Sequence, residues 1–477
     1  MKLDGLTLYP ESTVTHEGTT YFVARQATGE RLLGARGDVA GFSGDAESPE
    51  LFPLTAANAA EMRRRLPWLN PVPLGLQTSY GFGDRLGAAT PGHIAALRAA
   101  DPTGQIAPIF AQQSVRENSR TGRSPQQVLD DAMWGVLQCG WQAPWGADAD
   151  HVKEIEHLAP FVAAGYTFYT IDPSDYVDNQ AQTDPLSRLQ DKMDTLPWAA
   201  LASDFADMQQ RYCSAPIQLD GLALAFTEEI LLRALAKYGR ALAHTAAIAN
   251  ALTEQMAGRP FELEMSVDET DTPTSAYEHY FIANELARLD VPVVSLAPRF
   301  VGKFQKGVDY LGDEAEFAAE LAKHAAIMHH FGNYKLSIHT GSDKFSIYGQ
   351  IAAASQGRAH VKTAGTSYLE LLRAIATTDP AFFRQILTLA RERFEYDRKT
   401  YFLDARLDEV PEESALSDAE LSGLLEQFSA RQVLHVTFGS ILDTFGAATQ
   451  AFLVDHEAAY AAALKAHFIR HLAPFVE

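Results

Sequence analysis

From residue 72 onward the chain repeats one rhythm. A short apolar run gives way to a polar turn, then to a longer stretch with apolar residues at helical spacing. Few architectures accept such a repeat, because parallel strands need helical crossovers, and those helices must pack on the sheet. Eight runs read as strands: 73–78, 105–111, 141–147, 167–172, 261–268, 292–297, 335–339 and 359–363. Helical patterns at 91–100, 125–138, 152–164, 276–289, 314–330, 346–355 and 367–377 follow most of them. Eight such units close into an α/β fold of the (β/α)8 TIM-barrel type. An open doubly wound sheet is the competing arrangement.

The flanks break the rhythm. Residues 1–70 read as a strand-rich N-terminal cap, and 71–377 as the barrel. Residues 174–259 form a helical insertion, with 227–256 as one long alanine-rich helix. Residues 378–477 form a C-terminal helical extension, interrupted by a connector at Leu434-His435-Val436-Thr437-Phe438-Gly439. A net charge of −22 argues against nucleic acid or an anionic membrane as partner, since both need clustered cations. It leaves room for a small anionic substrate held by a few local cations. The two cysteines, Cys139 and Cys213, lack CxxC spacing, which fits a reducing compartment and removes a cysteine-based zinc site. Met1–Gly5 carries no apolar run and no stretch reaches about 18 apolar residues, so neither a signal peptide nor a membrane span is expected. The expectation is a cytoplasmic protein.

Chemistry concentrates at the ends of the strands. In Lys335-Leu336-Ser337-Ile338-His339, Leu336 and Ile338 share one face, and Lys335, Ser337 and His339 the other. The following Thr340-Gly341-Ser342-Asp343-Lys344 brings Asp343 and Lys344 to the C-terminal end of the barrel as substrate-binding candidates. The strand 261–268 alternates most cleanly. Phe261, Leu263, Met265 and Val267 would pack under helices, and Glu262, Glu264, Ser266 and Asp268 would line the interior. Buried carboxylates need a cation or hydrogen-bond donors, and a divalent metal meets that need most simply. A solvent-facing strand with ordinary acidic residues is the plain alternative. Asp172 ends another strand as ligand, base or turn cap, and His360 and Lys362 point together from the last strand. Lys362 is suited to neutralising a developing oxyanion. Glu264, His339 and His360 are the metal-ligand candidates, with Asp172 and Asp268 as further ligands or bases. This donor set suits Zn, Mn, Ni, Co or Mg. His329 and His330 end a helix and fall at the wrong barrel face.

Other signals are thinner. Gly81-Phe82-Gly83-Asp84-Arg85-Leu86-Gly87 has dinucleotide-loop spacing with one residue too many, and reads as a βα loop. Gln77, Gln112, Gln113, Arg116, Glu117 and Asn118 sit near early strand ends, where they would hold sugar hydroxyls. Arg299 and Lys303 follow the sixth strand and suit a substrate carboxylate.

The run Ser337–Tyr348, the strand Glu262–Glu269 and the segment Arg358–Glu370 resemble the tagaturonate epimerase family. The resemblance spans nearly the whole chain, including Gln432–Gly439. It implies a metal-dependent barrel enzyme interconverting D-tagaturonate and D-fructuronate, with relatives that act on tagatose and fructose. These ketoses differ at the hydroxyl carbon β to the ketone, whose C–H bond the carbonyl does not acidify. Enolisation cannot invert it, but retro-aldol cleavage and re-closure on the other face can. Transient hydride transfer is the rival route. A metal-dependent ketose or sugar-acid aldolase, and a non-catalytic sugar-acid-binding protein, are the alternative functions.

Overall fold

In the computed structural model, which describes residues 5–44 and 50–476, eight parallel strands close into a barrel in chain order. They are β1 (Ser79–Gly83), β2 (Ala107–Ser114), β3 (Gly146–Val152), β4 (Phe168–Ile171), β5 (Glu262–Ser266), β6 (Val293–Ala297), β7 (Lys335–Ile338) and β8 (Ala359–Thr363). Closure comes from β8 pairing with β1, where Lys362 lies opposite Gly81. Each strand has two faces, and both are buried. Leu263, Met265 and Val267 lie at most 1% exposed under the helices, while Glu262, Glu264 and Ser266 turn inward. That alternation follows directly from the pleat. At β7 the same rule sends Lys335 inward, where its ammonium donates to Ser79 Oγ at 2.8 Å.

Two strands begin later than their sequence suggests. The first is Ser79–Gly83 rather than 73–78, and the third is Gly146–Val152 rather than 141–147. The prolines around Val72 favour extended chain without a ladder. That segment instead crosses the barrel's N-terminal end, where the Val72 N–H donates to Trp145 O at 2.8 Å and the Gly75 N–H to Glu262 Oε1 at 2.5 Å. The true strands carry glycine or aspartate on their inner faces and so lack a continuous apolar run. Gly81 and Gly83, read from sequence as part of a loop, lie within β1. A Cβ on Gly83 would stand 2.5 Å from Thr363 O, so glycine is what lets β1 and β8 approach. The loop begins at Asp84, whose carboxylate accepts from the N–H groups of Leu86, Gly87 and Ala89.

Around the barrel lie the expected additions. Five antiparallel strands among the described residues form the N-terminal sheet. The Met1–Gly5 segment read for a leader lies, apart from Gly5, outside the described residues. Between β4 and β5 the insertion ends in the 29-residue helix Glu228–Met256, capped by Thr227. The extension contains helices Pro380–Asp397, Phe428–Val436, Phe438–Asp455 and Glu457–Leu472. The stretch 434–439 is therefore mostly helical rather than a connector. Val436 and Thr437 are β-branched and favour helix only weakly, but burial of Phe428–Val436 overrides that propensity. Helix Glu457–Leu472 packs closely on Thr90–Ala100, where a Cβ on Gly92 would meet Leu464 at 2.6 Å. Among the described residues no helix is long and apolar enough to cross a membrane.

Candidate active site

The inward faces of β3, β4, β5, β7 and β8 deliver one group of charged side chains to the C-terminal mouth. Glu264 sits at its centre, fully buried. Its Oε1 lies 2.6 Å from His339 Nε2 and 3.0 Å from Lys362 Nζ, and its Oε2 accepts from Ser295 Oγ at 2.5 Å. The other nitrogen of His339, Nδ1, lies 3.2 Å from Asp268 Oδ1. Lys362 also reaches Asp148 at 2.7 Å and Asp150 at 3.0 Å, and donates to Thr170 Oγ1. From the end of β3 comes His151, whose ring centroid is 5.0 Å from that of His339. Its Nδ1 is 3.0 Å from Asp172 Oδ2. His151 has φ +51°, a left-handed conformation that a non-glycine residue adopts at a cost of about 1–3 kcal/mol.

Five carboxylates meet here: Asp148, Asp150, Asp172, Glu264 and Asp268. Two ammonium groups face them, Lys362 and Lys153. Five minus two leaves three negative charges for protons or a cation to offset. Burial opposes charge on both imidazoles, but their carboxylate neighbours win. Asp150, Asp172 and Asp268 raise His151 to about 10, and Asp268 and Glu264 raise His339 to about 9. Burial, with Asp150 and Glu264 nearby, lifts Asp148 to about 7 against the pull of Lys362. Glu264 goes the other way. Burial disfavours its charge, but Lys362 and His339 hold its carboxyl well below the usual range.

His151, Asp268 and His339 each offer a ligand atom, and these atoms lie within 4.8 Å of one another. Two of the three, Asp268 and His339, line a cavity of 530 Å³ at the barrel mouth. That is ample for a small sugar acid. Arg116, Arg299, Lys303 and Lys306 line the same cavity. Lys303 is paired with Asp404 at 2.8 Å, and Lys306 donates to Thr340 Oγ1 at 2.9 Å. Among the described residues, neither Arg116 nor Arg299 makes a side-chain hydrogen bond or ion pair. Asp268, Glu269 and Asp271 line the same cavity, and Glu269 is the leading charge neighbour of Arg116, so these two guanidinium groups are cationic donors on a wall of mixed charge.

The sequence-derived residues fall into three groups. Glu264, Asp268, His339 and Lys362 come together, with Asp172 one contact behind through His151, and Arg299 reaches the cavity. Gln112 is 3% exposed and turns inward, occupying the space left by the absent Cβ of Gly81. The rest lie elsewhere. Gln77 precedes β1 at the N-terminal end, exposed, and donates to Gly104 O at 2.8 Å. The late start of β1 puts it at the wrong face. His360 is on the inward face of β8 but two residues deeper than Lys362. Its Nδ1 is 2.8 Å from Ser79 Oγ, its ring packs on Phe168, and burial holds it well below the usual histidine range. Asp343 and Lys344 are buried behind the His339 loop. Lys344 donates to the carbonyls of Gln305 and Ser342, both at 2.9 Å, and of Val308. His151, Asp148 and Asp150 escaped the sequence reading because β3 was placed five residues early. The alternation Ala147-Asp148-Ala149-Asp150-His151 was the signal that would have found them.

With this geometry in view, comparison with known proteins is informative. A family profile described as tagaturonate epimerase matches residues 9–475. A protein of Thermotoga maritima, the tagaturonate/fructuronate epimerase, is 42% identical over 417 residues, covering 87% of this chain and 84% of that one. Crystal structures of a fructuronate-tagaturonate epimerase from Cohnella laeviribosi share the whole architecture. A complex with one glycerol has 36% identity and a TM-score of 0.93, covering 98% of this chain and 96% of that one. The native crystal form gives a TM-score of 0.92 at the same identity and coverage.

Proposed function

The chain belongs to the tagaturonate epimerase family of isomerases, and from that premise we propose that it interconverts D-tagaturonate and D-fructuronate at a divalent metal centre in the barrel mouth. The observation that carries this reading is the convergence of His151, Asp268 and His339 beside a cavity that Arg116 and Arg299 also line. The donor set fits a metal ion in a further respect. Each imidazole has one nitrogen against a carboxylate outside the proposed ligands, Asp172 for His151 and Glu264 for His339, while Nδ1 of His339 faces Asp268 at 3.2 Å. Carboxylates in that position orient ligating histidines and fix the tautomer. The remaining nitrogens, with Asp268, would hold the ion. Glu264 and Asp172 then position ligands rather than bind the metal directly. Two nitrogens and a carboxylate suit Zn, Mn, Ni or Co, and Mg less well.

The chemistry follows from the substrate. The carbon to be inverted lies β to the ketone, so its hydrogen is not acidic, and breaking its bond to the α-carbon is the accessible route. A base takes the β-hydroxyl proton, the carbon–carbon bond cleaves, and the fragments are an aldehyde and an enediolate. The aldehyde turns its other face and the bond re-forms. When bound, the metal would polarise the ketone and its neighbouring hydroxyl as a Lewis acid. We assign proton acceptance to Asp150. Lys362, 3.0 Å away, pulls against its burial and favours its ionised form, and at 3.8 Å from His151 Nε2 it makes no hydrogen bond to a ring, unlike Asp172 and Glu264. Lys362 offsets the charge that appears on oxygen. Arg116 and Arg299 hold the substrate carboxylate, which favours the keto-uronates over tagatose and fructose. The two reduced cysteines accord with a cytoplasmic location.

The test is to load the protein with Mn, Zn, Ni, Co or Mg, add D-tagaturonate in deuterated water, and follow the products by NMR. The expected result is D-fructuronate with no deuterium at the inverted carbon. Free three-carbon fragments would make the protein an aldolase. Binding without conversion under every metal would make it a sugar-acid-binding protein.

A further inference from the structure

Behind the barrel mouth lies a second buried polar cluster, centred on Asp343. Its Oδ1 is 2.6 Å from His467 Nε2 and 3.4 Å from His471 Nε2, and its Oδ2 is 2.8 Å from Arg431 Nη2. His467 and His471 are one turn apart on helix Glu457–Leu472, so both rings leave the same helix face. Each ring is held at its far side as well. His467 Nδ1 is 3.2 Å from Glu370 Oε1, and His471 Nδ1 is 2.6 Å from the Tyr80 hydroxyl and 3.0 Å from that of Tyr348. Tyr348 in turn donates to Gly341 O. Two imidazoles and a carboxylate invite comparison with a metal site, but the charges are already matched. Asp343 and Glu370 face Arg431 and Arg373, the latter 2.7 Å from Glu370. No uncompensated charge remains for an ion to neutralise.

What the cluster does hold is a loop. Three residues, Thr340 to Ser342, separate Asp343 from His339. Thr340 and Asp343 have φ of +51° and +61°, a region that non-glycine residues occupy only when their surroundings force them. The loop is tied to the barrel by Gly341 N–H donating to Lys362 O at 2.9 Å, and to the extension by Asp343 and Tyr348. We infer that the C-terminal extension positions the metal centre: through His467 and His471, helix Glu457–Leu472 fixes Asp343, and Asp343 fixes the link that aims His339. This rests on the reading of His339 as a ligand.

The test uses full-length, cobalt-substituted protein with His467→Leu, His467→Gln and Asp343→Asn. His467→Leu is expected to lower kcat about tenfold or more and to shift the cobalt absorption bands, with KM within about twofold of wild type. His467→Gln keeps an N–H donor toward Asp343 and should recover most of both. Variants that lose thermal stability but keep kcat and the cobalt spectrum would reduce the cluster to simple packing and overturn the inference. Should His467→Leu fail to fold, Tyr348→Phe removes a single hydroxyl and is decided on the same readouts. A second equivalent of metal in wild type, lost in Asp343→Asn, would also overturn it. His339→Ala, run alongside, separates the two readings. If it keeps its metal, the proposed centre is wrong; if it alone loses metal while the cluster variants behave as wild type, only the inference fails.

Discussion

At the scale of single residues, His151 and His339 have two proposed roles, as proton carriers without metal and as ligands with it, and both depend on pH. Without metal their protons offset the surrounding carboxylates, with His339 raised to about 9 and His151 to about 10. A group whose folded pKa exceeds its unfolded value stabilises the fold fully below the unfolded pKa, about 6.5 for histidine. That contribution is lost as pH rises through the folded pKa. Metal binding needs the same nitrogens free of protons, so it releases protons and strengthens with pH. The melting temperature of metal-free protein should therefore fall between about pH 7 and 10, while the rise on adding metal should grow. Calorimetry with and without metal across that range checks it. A metal-induced rise that shrinks with pH would mean that these imidazoles are not the ligands. His339 and Glu264 were legible in the sequence because each stands in an otherwise apolar alternation. His151 was not, because its strand shows alanine where leucine or valine usually announces a buried face.

At the scale of elements, the strands with branched apolar residues outside and charge inside, β5, β7 and β8, were found close to their true limits. The two misplaced strands share one cause. β1 and β3 have glycine or aspartate on their inner faces, so the apolar segments leading into them looked more strand-like than the strands themselves. The glycines of β1 make a sharp contrast. A Cβ at Gly83 would lie 2.5 Å from Thr363 O and 2.6 Å from Ala364 O, both backbone, and nothing there can swing aside. A Cβ at Gly81 would meet Gln112 Oε1 at 2.1 Å, the end of a flexible side chain. Gly83→Ala should cost about 1–3 kcal/mol or more, and Gly81→Ala clearly less. Denaturant melts of the two variants give the comparison, and an equal or reversed order would contradict the account of barrel closure. The helical character of 434–439 was hidden for a different reason: the β-branched Val436 and Thr437 favour helix only weakly, and burial overrides that preference.

At the scale of the whole molecule, an acidic chain brings Arg116 and Arg299 to one cavity, and His467 of the helical extension reaches Asp343 in the loop after β7. Barrel, insertion and extension were readable as blocks, since each has its own periodicity. That the extension's last helix sends two histidines to the loop after β7 was not readable. Contacts over 124 and 128 residues leave no local pattern. Among the described residues there are thus two clusters of histidine and carboxylate whose ligand atoms lie close enough for an ion, and only one of them is assigned it. Diffraction from metal-loaded crystals, collected at the absorption edge of the metal, discriminates between them most directly. The expected result is one anomalous peak about 2.0–2.2 Å from nitrogens of His151 and His339 and from an oxygen of Asp268. A peak at Asp343, His467 and His471 with none in the barrel mouth, or no peak in a catalytically active crystal, would contradict the account.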